Sequence, residues 1–492
     1  MKKILLSVLS AIFLILSFPK TSLWFLAWIS LVPLFLAIQN DASLKPLKSF
    51  LYGTITGLLA NLGILYWLVP TFSAAGETKF IGIFVLLLLS LYLALYYGLF
   101  CLFYSLLTTY YLPLTAFIWV SLEFLRTHLF TGFPWAQLGY SQWNNLPIIQ
   151  ISEFTGIYGV SFLVVLVNLI IVKIIKERTL KCASTGFLLI LICLIFGFYK
   201  LKNPITLKPY NSKTISILQG NIDQYKKWDE TYKREILDTY TKLATRPSSL
   251  VPDLIVWPES SVPGFLKNDK NLYDWISDIA KKTNTHHLVA SNDYRDGNLY
   301  NSAFLVSSDG KIIDEYSKNH LVPFGEYIPL RNFLSKFIKV VNEIGEFSAR
   351  EKYNVLNSSA GKLGVNICFE AIFPNEIRKS VKNGAEIIVN LTNDGWYLKT
   401  SAPYQHFTMN VFRAVENSRF VVRAANTGVS GFIDPAGRAK SKTKIFETAV
   451  LSDKLFALKH ITFYTKFGDI FAYLCIVISI ILLTFRKKFD KI

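Results

Sequence analysis

Eight apolar runs divide this chain, and a backbone carried into hydrocarbon must satisfy each N–H and C=O group within itself. The runs fall at about 4–18, 23–38, 50–71, 81–108, 112–126, 156–176, 186–200 and 467–485. A helix rises about 1.5 Å per residue and the hydrocarbon core is about 30 Å thick, so about 20 apolar residues cross it as a helix. These parts of the 492-residue chain are thereby restricted to packed membrane helices, and about eight spans are expected. The 52% hydrophobic content reflects these runs. Between the seventh and eighth lies one long polar stretch of a different character.

Residues 1–18 open with Lys2-Lys3 before an apolar segment, as a secretory signal does. That segment ends Ser17-Phe18-Pro19-Lys20 without a small-x-small cleavage site, so it reads as an uncleaved first span. Orientation follows from basic residues in the short loops, which stay on the cytoplasmic side. One alternating set of loops and tails holds Lys2, Lys3, Lys45, Lys48, Lys173, Lys176, Arg178, Lys181, Arg486, Lys487, Lys488 and Lys491. The opposite set holds only Lys20, Lys79 and Arg126. Both termini are therefore expected in the cytoplasm, and the long polar stretch on the outer face of a bacterial plasma membrane, the periplasmic side. The expected division is 1–200 as seven membrane helices, 201–466 as an extramembrane domain, and 467–492 as an eighth span with a basic tail. Loop lysines and their attraction to anionic headgroups account for the net charge of +18. No basic block in the polar stretch is dense enough to point to nucleic acid.

Within 201–466 short β-rich runs alternate with amphipathic helical stretches. Strands are expected at Thr214–Gln219, Asp253–Trp257, His287–Ser291, Ser302–Ser307, Lys362–Cys368, Glu386–Leu391, Phe420–Ala425 and Val429–Asp434. Helices are expected at Asp229–Ala244, Leu272–Thr283, Pro374–Lys382 and Tyr404–Ser418. This alternation predicts an α/β layer architecture. In such folds, residues at the carboxyl ends of strands gather in one crevice.

Three polar residues hold that position. Glu259 follows Leu254-Ile255-Val256-Trp257-Pro258, and Cys368 ends the 362–368 strand. Lys318 lies beyond the 302–307 strand and its turn at Asp309-Gly310. Of the five cysteines, Cys101, Cys182, Cys193 and Cys475 fall in or beside apolar runs, so Cys368 has no disulfide partner in the polar stretch. A carboxylate, an ammonium and a thiol suffice for acyl transfer. The carboxylate takes the thiol proton, the thiolate attacks a carbonyl, and the ammonium stabilises the oxyanion. Taken singly, each residue is more often a surface carboxylate, a solvated lysine or a small buried hydrophobe. The histidines show no metal-ligand spacing, and no motif requires a cofactor.

The strings around these residues resemble the nitrilase superfamily, whose members carry a Glu-Lys-Cys triad on an α-β-β-α sandwich. Trp257-Pro258-Glu259 is similar to its base segment, and Lys318 with His320-Leu321-Val322-Pro323-Phe324-Gly325-Glu326 to its lysine segment. Ile367-Cys368-Phe369-Glu370 is similar to its nucleophile segment. Over the whole length the chain resembles the membrane branch, the apolipoprotein N-acyltransferases. Leu218-Gln219-Gly220-Asn221-Ile222, Asn390 to Trp396, Gln405-His406 with Arg413, Glu416 and Arg419, and Gly132-Phe133-Pro134-Trp135 add to the likeness. The resemblance implies Glu259 as general base, Lys318 as oxyanion stabiliser, Cys368 as nucleophile and Glu326 as a supporting carboxylate. It further implies Trp228, Phe369, Glu370 and Trp396 as substrate contacts. Phe369 stands where the family often has Tyr, so a phenolic hydroxyl is missing and the aromatic packing stays. The implied reaction moves a fatty acyl chain from a membrane phospholipid, typically phosphatidylethanolamine, onto Cys368. The acyl chain then passes to the α-amine of a diacylglyceryl-cysteine at a lipoprotein's N-terminus.

Residues 330–344 place Leu330, Phe333, Leu334, Phe337, Ile338, Val341 and Ile344 on one helical stripe, either a lid on the membrane surface or a helix packed on the core. Two rival readings stay open. One is a membrane-tethered amidase acting on a soluble substrate, which leaves the apolar runs unexplained. The other is a transporter with a degenerate domain, which would be expected to carry more ionisable residues within its spans.

Overall fold

Each of the eight apolar runs contains helix in the computed structural model. The helices are Lys2–Ser17, Trp24–Trp28 with Val32–Gln39, Pro46–Ile64 with Leu68–Ala74, Lys79–Leu106, Thr115–His128, Ile157–Glu177, Ala183–Lys202 and Ile470–Phe489. The structure describes residues 1–39, 45–107, 113–178, 183–203, 212–227, 229–246, 250–329, 346–350 and 352–489. Among them, Lys79–Leu106 and Ile157–Glu177 are long and apolar enough to cross a membrane. Pro46–Ile64 with Leu68–Ala74, bent by 44°, makes a third if the pair is one span. Trp228 and the 330–344 stripe lie outside the described residues.

The chain divides into two units. The first comprises Met1–Ile205, Thr400–Glu416 and Thr462–Ile492. Its helices Pro46–Ile64 and Lys79–Leu106 approach closely because small residues line the contact. A Cβ on Gly53 would sit 2.5 Å from the Tyr97 carbonyl oxygen, and one on Gly57 2.8 Å from the Tyr97 ring. The helix Ala402–Asn417 packs in this unit through polar side chains. Gln405 Oε1 accepts from the Trp67 indole at 3.1 Å and the Trp135 indole at 2.8 Å. Its Nε2 donates to the carbonyls of Pro19 and Ile64, each at 3.0 Å. About two turns along the helix, Arg413 pairs with Glu416 at 2.8 Å with both side chains fully buried, and donates to the Tyr140 hydroxyl at 3.1 Å. Buried charge is tolerated there because each partner is answered.

The second unit, Thr206–Lys399 and Asn417–Ile461, holds two six-stranded sheets. The first contains β1 (Ser212–Gln219), β2 (Leu254–Val256), β3 (His286–Arg295), β4 (Asn298–Val306), β5 (Ile312–Ser317) and β12 (Ala449–Phe456). Its order is β12-β1-β2-β3-β4-β5. The second contains β6 (Leu356–Ser358), β7 (Gly361–Ile367), β8 (Ile387–Thr392), β9 (Phe420–Ala425), β10 (Gly431–Ile433) and β11 (Ala439–Lys442), in the order β11-β10-β9-β8-β7-β6. The sheets face each other with β1 near β9 and β4 near β7. Helices Lys233–Ala244 and Lys270–Thr283 cover the first sheet, burying Ile236, Tyr240, Leu272 and Ile276 against Leu218, Ile255 and Trp257. Pro374–Lys382 covers β7. This is the expected layered α/β domain with two sheets.

Parallel pairing of β1, β2 and β3, and of β7, β8 and β9, turns the carboxyl ends of those strands the same way within each sheet. The path to Lys318 differs from the expectation, because a further strand, β5, intervenes. The β4 strand runs antiparallel to β3, so its carboxyl end lies at the opposite end of the sheet; β5, antiparallel to β4, brings the chain back. Lys318 thus follows a strand that runs with β2.

Candidate active site

Cys368 is the first residue after β7 and has φ of +51°. A non-glycine residue in the left-handed region costs about 1–3 kcal/mol, and such residues cluster at functional sites. The strain is held by its neighbour Glu370, which folds back under the turn. Glu370 Oε2 accepts from the Ile367 amide at 2.6 Å and Oε1 from the Asn319 amide at 2.6 Å, while the Tyr316 hydroxyl donates to both oxygens at 2.8 and 2.9 Å. Burial raises the Glu370 carboxyl above its ordinary range, helped by Glu376, while the amides oppose it. Glu370 therefore joins the nucleophile turn to the lysine segment, and Phe369 packs on Phe373 at 5.3 Å between ring centres.

Glu259 lies three residues beyond β2 and is 7% exposed. Its Oε1 accepts from Asn301 Nδ2 at 2.8 Å and lies 3.7 Å from Lys318 Nζ. Its Oε2 accepts from the Asn393 amide, just past β8, at 2.8 Å. Lys318 is 1% exposed and donates to Glu326 Oε1 at 2.8 Å. The other oxygen of Glu326 accepts from the Val322 amide at 2.8 Å. Burial works against the Lys318 ammonium, but Glu326 first, then Glu259 and Cys368, outweigh it and hold its pKa above the ordinary value. Burial likewise pushes the Cys368 thiol up, and Glu259 adds to that, while Lys318 and a hydrogen bond with Thr392 pull it down. A thiol held protonated in the resting state becomes a nucleophile by giving its proton to an adjacent base.

The fold thus brings Glu259, Lys318, Cys368 and Glu326 into one buried cluster, with Phe369 and Glu370 beside it. Trp396, in the turn Asp394–Tyr397 after β8, is 38% exposed. Two participants carry no sequence signal that sets them apart. Asn301, in the middle of a half-polar strand, bridges Glu259 to Glu326, donating to the latter at 3.2 Å. Lys227 is 2% exposed and donates to the Glu259 backbone carbonyl at 3.0 Å. Behind Asn393, Arg423 pairs with Asp394 at 2.8 Å with both side chains fully buried, fixing the loop that supplies the Asn393 amide. Among the described residues, no group of three or more His, Cys, Asp or Glu side chains is placed to hold a metal ion.

The chain is similar to known proteins over most of its length. Residues 10–170 match the model of the apolipoprotein N-acyltransferase N-terminal domain, and residues 214–455 that of the carbon-nitrogen hydrolases. The chain is 39% identical to an apolipoprotein N-acyltransferase of Geobacter metallireducens, over 98% of this chain and 95% of that one. It is 31% identical to one of Pasteurella multocida, over 98% and 94%. An amidase from Nesterenkonia sp. is 19% identical with a TM-score of 0.39, covering 52% of this chain and 95% of that chain.

Proposed function

The chain belongs to the apolipoprotein N-acyltransferase family, and on that premise we propose that it transfers a fatty acyl chain from a membrane phospholipid to a lipoprotein's N-terminal cysteine, through a thioester on Cys368. The observation that carries this reading is one ammonium, Lys318, set between two carboxylates beside a thiol on strained backbone.

In the first half-reaction Glu259 takes the proton from Cys368 Sγ, and the thiolate attacks the ester carbonyl carbon of the donor phospholipid, typically phosphatidylethanolamine. A C–S bond forms, the carbonyl π pair moves to oxygen, and the Lys318 ammonium stabilises the resulting oxyanion. Collapse breaks the C–O bond, and the departing glycerol oxygen takes the proton back from Glu259. Lysophospholipid leaves, and the acyl chain remains on sulfur. In the second half-reaction the α-amine of the diacylglyceryl-cysteine attacks the thioester and gives a proton to Glu259. A C–N bond forms, the C–S bond breaks, and Glu259 returns the proton to sulfur, restoring the thiol. Glu326, with both oxygens already engaged, positions Lys318 and moves no proton. Water must be kept from the thioester for the amine to compete, and the closeness of the cluster favours that. Phe369 and Trp396 line the donor and acceptor path in this reading, the resemblance implies Trp228 as a further substrate contact, and Glu370 braces the nucleophile turn.

The domain account that goes with it has eight spans, both termini in the cytoplasm, the 201–466 domain in the periplasm and the helical part anchoring the enzyme among its lipid substrates. The apolar helices and the distribution of basic loop residues support it. The test is incubation of full-length enzyme in mixed micelles of phosphatidylethanolamine with a synthetic diacylated lipopeptide. Gain of one acyl mass on the lipopeptide amine, with stoichiometric lysophospholipid, is expected. Release of free fatty acid with no lipopeptide product would instead favour a hydrolase.

A further inference from the structure

The cluster contains an imbalance that the triad does not resolve. Two carboxylates, Glu259 and Glu326, face the single ammonium of Lys318, at 3.7 and 2.8 Å. A buried group of charges is costly unless each is answered. A second lysine, Lys227, also contacts Glu259. It is 98% buried, its Nζ donates to the Glu259 backbone carbonyl at 3.0 Å, and an ammonium has three hydrogens to donate. Among the described residues, no other partner takes the remaining two. Its sequence neighbour Lys226 lies on the surface, pairing with Glu235 at 3.7 Å.

We propose that Lys227 is a second cation of the active site, a positioning residue that fixes the Glu259 loop through its backbone carbonyl and supplies the countercharge under which Cys368 gives up its proton. This rests on the acyl-enzyme reading for its purpose but not for its observation. Charge accounts for the choice of a lysine here, since a neutral donor would serve the carbonyl equally well and would be cheaper to bury. The groups that face Lys227 electrostatically are Glu259 and Cys368; those that face Cys368 are Glu259, Lys318 and Asp394, with the Tyr397 phenol also within reach. Burial draws the Lys227 ammonium down to about 8, against the pull of Glu259 and Cys368, so its charge is present at neutral pH and is lost as pH rises through that value. Lys318, held above its ordinary value, keeps its charge over the same range.

The experiment measures alkylation of Cys368 by iodoacetamide in the full-length enzyme in detergent, read by peptide mass, for wild type and the variants Lys227→Met, Lys227→Gln and Lys227→Arg. A cation worth about one pKa unit at the thiol changes the thiolate fraction about tenfold. At neutral pH, K227M and K227Q should therefore react about tenfold more slowly than wild type, with K227R close to wild type. The ratio of wild type to K227Q should fall towards one as pH rises through about 8, because wild type then loses the same charge. K227R should not converge in this way. If K227M does not fold, the contrast of K227Q with K227R decides alone. Wild-type reactivity in K227Q would show that the hydrogen bond suffices, and a ratio independent of pH would equally overturn the proposal. The same samples exposed to phosphatidylethanolamine separate the two claims. A wild-type enzyme that is alkylated with the expected contrast but never acylated refutes the acyl-transfer reading and leaves Lys227 as the countercharge.

Discussion

Glu326 has no oxygen to spare: Lys318 and Asn301 donate to one and the Val322 amide to the other. Replacing it with Gln leaves Lys318 with a buried charge half answered, a change that costs about 3–5 kcal/mol when one partner of a buried pair is lost. Glu326→Gln should therefore slow acyl-enzyme formation by about a hundredfold or more in single-turnover mass measurements; near-wild-type turnover would remove Glu326 from the site. Glu259 gives a prediction of opposite signs in two assays. Its charge is among the causes that raise the Cys368 thiol, so Glu259→Gln should move the midpoint of Cys368 alkylation to lower pH. Yet acylation should fall by about 10²–10⁴-fold, since the base is gone. Alkylation and acylation falling together would contradict the assignment of Glu259 as base. Glu259 and Cys368 stand out because each follows an apolar strand, whereas Lys318 stands out by the string His320 to Glu326 alone, since the strand before it, β5, is largely polar. Lys227 does not stand out, because nothing in Tyr225-Lys226-Lys227 distinguishes the lysine that points inward. The resemblance implies Glu370 as a substrate contact, and four donors on its two oxygens explain its place in the string as a brace.

At the scale of elements, the strands that sequence reading predicted are β1–β4 and β7–β10, and the ones it omitted are β5, β6, β11 and β12. Those four are the outer strands of the two sheets. Inner strands such as β8 and β9 are buried along their whole length and read as largely apolar runs, interrupted by Asn390 and Thr392 in β8 and by Arg423 in β9. The edge strands β11 and β12 carry Lys440, Lys442, Asp453 and Lys454 on solvent-facing backbone, as edges that resist further pairing do, and so lose the apolar signal. The helix Ala402–Asn417 shows the reverse case, a fully legible helix whose role was not legible. Within the first unit Gln405 bonds Trp67 and Trp135, Arg413 bonds Tyr140, and Glu416 pairs with Arg413, partners that the string does not reveal. The glycine contact between Pro46–Ile64 and Lys79–Leu106 gives a prediction at this scale. Gly53→Leu puts a side chain where a Cβ already meets the Tyr97 carbonyl at 2.5 Å. Overpacking of this kind costs about 1–3 kcal/mol. The thermal midpoint in detergent should drop by several degrees, and an unchanged midpoint would mean that the two helices do not need their close approach.

For the whole molecule, each apolar run contains a helix of the first unit, but run length did not reveal which helices are bent or short, nor the short helices Leu138–Gln142, Leu146–Ile149 and Ser152–Thr155 that lie between runs. The run 50–71 is helix broken near Leu65, and 23–38 contains a single-turn helix before Val32–Gln39. The excess of basic residues in one set of loops makes a direct prediction of orientation. A cysteine in place of the exposed Asp309 should react with a membrane-impermeant maleimide in intact spheroplasts, while one appended to the C-terminus should react only after lysis. Labelling with the reverse pattern would invert the topology and put the catalytic unit on the wrong side for its proposed acceptor. The account as a whole stands on a covalent intermediate, and intact-protein mass spectrometry after incubation with phosphatidylethanolamine tests it most directly. Wild type should gain the mass of one fatty acyl group and lose it on addition of a diacylated lipopeptide, and Cys368→Ala should gain nothing. No adduct on wild type, together with lipopeptide acylation that survives Cys368→Ala, would contradict it.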